Sequence, residues 1–142
     1  MNNFKNLKRT FFIAELGNNH EGNYKNAIKL IDNAKISGAD AVKFQTFDTS
    51  LFINKSEKKR FKKLQKFELT KKQFKKLSIY SKKKKLKFIS TPLDLESAKF
   101  LSNLVDIFKI SSGDNNFFEL IEFCARFKKP LIISTGMLAF DE

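Results

Sequence analysis

Apolar residues fall into five short runs, separated by stretches in which they recur at helical spacing. Phe11-Phe12-Ile13-Ala14, leading into Glu15-Leu16-Gly17, is a continuous run of the kind expected for a strand buried on both faces. After the polar turn Asn18 to Asn23, Ala27, Ile28, Ile31, Ala34 and Lys35 keep a helical period up to Ser37-Gly38. Glycine takes the left-handed conformation that closes a helix at little steric cost, so the helix should end there. Ala41-Val42-Lys43-Phe44-Gln45 is a second strand. Residues 48–67 are less regular and strongly charged, and read as an excursion over the carboxyl end of a sheet, with room for a short helix.

The pattern then repeats. Thr70 and Gln73 have the spacing of a capping box, and Phe74, Leu77 and Tyr80 share one helical face. Leu86 to Ser90 is a third strand, expected to stop at Thr91-Pro92 because proline cannot donate to a ladder. Asp94 caps a helix carrying Leu95, Ala98, Leu101 and Leu104, and Ile107-Phe108-Lys109-Ile110 is the fourth strand. Asn116 with Glu119 gives another cap signal, opening a helix through Leu120, Ile121, Cys124 and Phe127. Pro130 to Ser134 is the fifth strand. Strands alternating with helices through short connections require a parallel α/β sheet with right-handed crossovers, open or closed into a barrel. Ligands of such sheets sit at the carboxyl ends of the strands.

At 142 residues the chain has room for one core. Its 42% apolar and 30% charged residues are those of a folded domain. No apolar run is long enough to span a bilayer, and Met1 to Thr10 lacks the hydrophobic centre of a signal peptide, so a cytoplasmic protein away from membranes is expected. Cys124, the one cysteine, reads as a buried inert thiol. The net charge of +13 raises a polyanion-binding reading, with the lysine-rich segment 58–87 as the contact. Only Arg9, Arg60 and Arg126 are arginines among 28 basic residues, however, and planar recognition of phosphates and bases favours arginine. Composition therefore argues against nucleic acid as the partner, and the lysines at 71, 72, 75, 76 and 82 to 85 read as a solvated helix face.

Strand ends carry the chemistry. In order they are Glu15 with the His20 turn, Lys43 and Gln45, Ser90 and Thr91, Lys109 with Ser112 and Asp114, then Ser134 and Thr135. Lys43 and Lys109 stand inside otherwise apolar strands. A buried ammonium needs an anion, supplied by Glu15 or by a ligand, and one carboxylate leaves one cation over. Lys109-Ile110-Ser111-Ser112-Gly113-Asp114 thus reads as an oxyanion cradle of a cation, hydroxyls and turn amides. Taken singly, the serines and threonines suit loop hydrogen bonds; their recurrence at one level of several strands gives the group more weight. His20 fits a turn-stabilising hydrogen bond at least as well as a base or a metal ligand. Neither a glycine-rich phosphate loop nor a cysteine/histidine zinc pattern occurs.

Five ordered motifs, Ile13-Ala14-Glu15-Leu16-Gly17-Asn18-Asn19-His20-Glu21-Gly22, Val42-Lys43-Phe44-Gln45-Thr46, Phe88-Ile89-Ser90-Thr91-Pro92, Phe108-Lys109-Ile110-Ser111-Ser112-Gly113 and Ile133-Ser134-Thr135-Gly136-Met137, resemble successive motifs of the sialic acid synthase family. That family includes the N-acetylneuraminate, legionaminate and pseudaminate synthases, and the likeness runs from about Phe11 to the last residue. The resemblance implies a (β/α)8 barrel of TIM type, of which this chain carries about five of eight strands. It implies condensation of phosphoenolpyruvate with an N-acetylated hexosamine, N-acetylmannosamine or a related amino sugar, to a nine-carbon 2-keto acid with release of phosphate. Carried over by position, Lys43, Lys109, Ser112 and Ser134 would hold phosphoenolpyruvate. Glu15 would lie near the reacting carbons as the catalytic residue, and Gln45 and Asp114 would face the sugar. Asp114 stands where many members have glutamate. The divalent metal of the family, manganese or magnesium, would take its histidine ligands from strands outside this chain, and His20 matches neither. Residues 1–142 are accordingly expected to be the amino-terminal portion of the barrel. The remaining strands and a C-terminal antifreeze-like domain would be absent, and the isolated chain inactive. A truncated reading frame, self-association or a complementing chain would each account for the length. Another phosphoenolpyruvate-aldose synthase, such as a 3-deoxy-octulosonate-phosphate synthase, would want sites for a second phosphate.

Overall fold

The computed structural model describes residues 7–137 and Ala139. The polar start of the chain up to Asn6 and the other residues after Met137, to which the resemblance is expected to extend, lie outside the described residues. Five strands, β1 (Ile13–Gly17), β2 (Ala41–Thr46), β3 (Lys87–Pro92), β4 (Ile107–Ile110) and β5 (Leu131–Ile133), form one parallel sheet in sequence order. Helices α1 (Tyr24–Ile36), α4 (Lys71–Lys83), α5 (Leu95–Leu101) and α6 (Phe118–Ala125) are the crossovers, and α2 (Thr49–Phe52) and α3 (Lys58–Phe67) interrupt the second one. Each strand lies beside its predecessor, so every crossover winds the same way and the helices share one face. This is the winding of a (β/α) barrel wall; a doubly wound sheet would reverse at an inner strand.

Alternation along the strands separates the two faces. Val42, Phe44, Phe88, Phe108 and Ile110 point toward the helices and pack with Ala27, Ile31, Phe74, Leu77, Ala98, Leu101, Leu120 and Cys124 in one core. Phe44 meets Phe88 at 5.6 Å between ring centroids and Phe74 edge-on at 6.3 Å. On the inner face Ala41, Ile89 and Ile107 form a separate small cluster with Phe11 and Ile132, to which no helix contributes. Burial pushes the Cys124 thiol up to about 11, in keeping with an inert core cysteine.

Local signals are obeyed where a side chain can reach backbone. Thr70 and Gln73 form the reciprocal capping box of α4, Asp94 accepts the Ser97 N–H at the start of α5, and Gly38 closes α1 with φ of +80°. Four expectations are corrected. Strand β1 is not buried on both faces: it lies at one end of the strand order, and Phe12 and Ile13 are exposed. Residues 48–67 hold two helices, α2 capped by Asp48 and α3 of ten residues. Strand β3 runs through Thr91 to Pro92; proline's missing donor is harmless at a last strand position, and Leu93 N–H bonds Thr46 O instead. Asn116 does not cap α6, whose preceding residue is Phe117 without any side-chain cap bond. A short 3₁₀ turn, Ser112–Asp114, occupies that loop instead.

Candidate functional site

Register brings the strand-end charges together. Glu15 and Lys43 are lateral partners in the β1/β2 pair, so both side chains leave the inner face at the same level. The Lys43 ammonium lies 2.9 Å from Glu15 Oε2 and donates to Thr91 Oγ1 at 3.1 Å. The pair is lopsided, because Lys43 is buried and Glu15 is half open to solvent. Two strands on, the Lys109 ammonium donates to Ser134 Oγ at 2.6 Å and to the Ile110 carbonyl, with no carboxylate partner among the described residues. Burial, and then the charge of Lys43, holds Lys109 below the ordinary lysine range, with Glu15 acting against both. Ser112, in the turn that follows β4, abuts Gly136 of the turn that follows β5. A Cβ on Gly136 would lie 3.4 Å from that of Ser112. Asn115 ties the same two turns by donating to the Gly136 carbonyl at 2.9 Å.

Beside this charged row lies a cleft of about 560 Å³, lined by Asn18, Gln45, Ser111, Gly113 and Asp114 from the strand-end turns. Its other wall is the excursion: Phe52 of α2, with Arg60, Lys63, Leu64 and Phe67 of α3. None of the residues of α3 is buried. Its carboxyl end is set down on the β1–α1 turn at Gly22, where a Cβ would meet the Lys66 carbonyl oxygen at 2.0 Å. In that turn Gly22 N–H donates to His20 Nδ1 at 3.0 Å, and burial pushes the His20 imidazole below its usual range. His20 is thus a neutral turn-stabilising side chain. Gln45 accepts from Asn18 Nδ2 at 2.7 Å, and Asp114 accepts the Ser111 hydroxyl.

The structure brings Glu15, Lys43, Lys109 and Ser134 into one row and sets Gln45 and Asp114 in the adjoining cleft. Ser90 is not with them. Its hydroxyl is on the helix side of β3, bonded to Thr46 Oγ1 at 2.8 Å. Thr91, one residue on, faces Lys43. Sequence reasoning missed Asn18 and the α3 wall. Asn18 lay in a turn whose polarity needed no other explanation, while the helical spacing of Leu64 and Phe67 is masked by lysines in a stretch that reads only as an irregular excursion over the strand ends. Among the described residues no group of three or more His, Cys, Asp or Glu side chains could hold a metal ion. The described residues therefore do not fit a metal site.

A family profile described as the NeuB family matches residues 30–142. The chain belongs to this family. It is 44% identical to an uncharacterised protein of Methanocaldococcus jannaschii, over 94% of this chain and 40% of that one. It is 39% identical to the N,N'-diacetyllegionaminic acid synthase of Campylobacter jejuni, over 96% of this chain and 45% of the relative. Among solved structures, the N-acetylneuraminic acid (sialic acid) synthetase of Leptospira borgpetersenii superposes with a TM-score of 0.89 at 32% identity, covering 94% of this chain and 47% of that one. As a NeuB family member the chain spans less than half the length of these relatives, and its parallel strands form part of a barrel of TIM type. No helix among the described residues is long and apolar enough to cross a membrane.

Proposed function

We propose that this chain is the amino-terminal part of a synthase that condenses phosphoenolpyruvate with an N-acetylated hexosamine, and that it carries the phosphoenolpyruvate half of the site. One observation supports the reading above all. Two ammonium groups share the inner face with one carboxylate, and the half-buried cation without a carboxylate, Lys109, is flanked by the hydroxyl of Ser134. A bound dianion of phosphate and carboxylate would complete that charge balance. In this reading Lys43, Lys109, Ser112 and Ser134 hold the phosphate and carboxylate, which fixes the enol carbon toward the cleft. C3 then bonds the aldehyde carbon of the sugar, water adds at C2, and phosphate leaves. Positive charge develops at C2 as the C–C bond forms. Glu15, half exposed beside Lys43, stabilises that charge or takes a proton from the water. Gln45 and Asp114 face the sugar. The family names of the relatives agree with the product class, a nonulosonic acid.

Titration calorimetry of the full chain with phosphoenolpyruvate tests this. Binding should be lost in Lys43→Ala and in Lys109→Ala and retained in a Lys72→Ala/Lys75→Ala/Lys76→Ala variant, whose lysines are exposed on α4. The opposite pattern, with steep salt dependence, would make the chain a polyanion-binding module instead.

A further inference from the structure

His20 is buried, with 1% of its surface exposed, and takes no part in the anion site proposed above. Its Nδ1 accepts the Gly22 N–H at 3.0 Å, and a ring nitrogen that accepts carries no proton. The neutral ring therefore bears its hydrogen on Nε2, which is buried without a hydrogen-bond partner. The ring lies against Phe44, 6.0 Å between centroids. Gly22, the donor of that bond, is also where the cleft wall rests. It has φ of +74°, and a Cβ there would meet the Lys66 carbonyl oxygen at 2.0 Å. Helix α3 has little else to hold it, since none of its residues is buried and no side chain caps its amino end.

We propose that His20 is a positioning residue for the cleft wall, holding the turn on which α3 is seated, and that protonation of its Nδ1 unseats the helix and opens the cleft. A proton on Nδ1 would point at the Gly22 N–H, donor against donor, while Nε2–H still has no acceptor. An imidazolium in this place would thus be a buried charge with neither hydrogen bonded. The ring must leave, and the Gly22 turn loses the bond that shapes it. No neighbouring charge offsets this. On the same turn Glu21 is exposed, β2 presents Phe44, and α3 offers Gly22 only the Lys66 carbonyl while the Lys66 side chain is exposed. Burial pushes the imidazole below its ordinary range. Two carboxylates also tie this wall: Glu68, after α3, accepts the Thr49 N–H at 2.6 Å, and Asp48 caps α2, held below the usual carboxylate range by the Ser50 hydroxyl and amide. With α3 unseated, His20 titrates near the ordinary value of about 6.5. Below that pH the open form takes up a proton that the closed form refuses. The open population should then rise, approaching tenfold per pH unit, until the closed form is protonated too. The seat is separate from Lys43 and Lys109, so the inference does not depend on which anion that row takes.

Nuclear magnetic resonance of the isotope-labelled full chain, taken from neutral pH into the acid range, tests this on the chain's one histidine. At neutral pH the imidazole nitrogen shifts should place the proton on Nε2; a proton on Nδ1 overturns the proposal. As pH falls below about 6.5, hydrogen exchange of the α3 amides, corrected for its intrinsic pH dependence, should accelerate by a factor approaching ten per pH unit, with the amides of β2 and β3 keeping their protection. Exchange of α3 that stays flat through this range, or that rises together with the sheet, overturns it as well. His20→Asn sets a carboxamide oxygen near the place of Nδ1, accepts the same N–H as an Asx turn and has no proton to gain. It should keep α3 seated and abolish the pH dependence, and survival of that dependence would show His20 to be merely structural. Glu68→Gln should leave the step in place; its loss there would transfer the role to Glu68. Should His20→Asn fail to fold, the onset in the wild type decides. An onset near the ordinary histidine value supports the proposal, and one near the carboxylate range, about 4, overturns it.

Discussion

The two faces of the sheet are made by the same five strands and obey different rules. Toward the helices the strands present Phe44, Phe88, Phe108 and Ile110, all fully buried in a continuous apolar core. Even the polar pair there, Thr46 and Ser90, is satisfied internally. Toward the inside the apolar residues Ala41, Ile89 and Ile107 share the face with the charged Glu15, Lys43 and Lys109. One face is closed by its own chain. The other collects charge at the end of the strands where a ligand can arrive. The outer face is where stability resides, and the inner face gives up some of it to hold two ammonium groups against one carboxylate.

Truncating the outer face should cost most. Phe88→Ala should lower unfolding free energy by about 3–5 kcal/mol, since a fully buried phenyl ring leaves a cavity that its neighbours cannot fill; denaturant unfolding measures it. Next is the seat of α3. Gly22 has φ of +74° and faces the Lys66 carbonyl, so Gly22→Ala should cost about 2–3 kcal/mol, and should increase proteolysis of α3 before the sheet opens. A uniform rise in protease sensitivity would show that α3 is not a separately seated wall.

Smaller and more discriminating is the Glu15–Lys43 pair. Glu15→Gln strands a buried ammonium and should cost about 1–3 kcal/mol, whereas Lys43→Met leaves a carboxylate that water can reach and should stay within about 1 kcal/mol. Equal losses would mean that the pair belongs to the core after all. The smallest effect is in pH. In the proposed site the bound anion pairs with charged Lys109, whose proton is held less tightly than in an ordinary lysine, so affinity for phosphoenolpyruvate should begin to fall at a lower pH than lysine's usual value of 10.5 as pH rises. Binding in that range should also take up protons, which calorimetry in buffers of different ionisation enthalpy detects. A flat profile up to the ordinary lysine range would place Lys109 outside the bound anion's reach.

Much of this was legible in the residues. Five apolar runs gave five parallel strands, the capping box at Thr70 and the cap at Asp94 were read correctly, and the count of two lysines against one carboxylate corresponds to the geometry found. The misreadings share a cause. Ser90 was placed with the strand-end hydroxyls because alternation within β3 does not say which of its sides matches Lys43 of β2. Register between strands decides that, and it puts Thr91 there. Asn116 lost the α6 cap to a 3₁₀ turn because Ser111 and Asp114 bond to each other first. Lysines on α3 hid an apolar edge, which became a wall only once the helix was laid on Gly22.

By itself, then, the sequence determined the strands, their parallel order and the chemical types at their ends, because those follow from local periodicity and from the cost of burying charge. Tertiary structure alone decided which of those side chains meet. Pairing Glu15 with Lys43 left Lys109 to the hydroxyl of Ser134, and the closure of α3 over the turn set Asn18 and Gln45 on the floor of a cleft. Both depend on interstrand register and on a long-range backbone contact, for which neighbouring residues in the chain carry no signal.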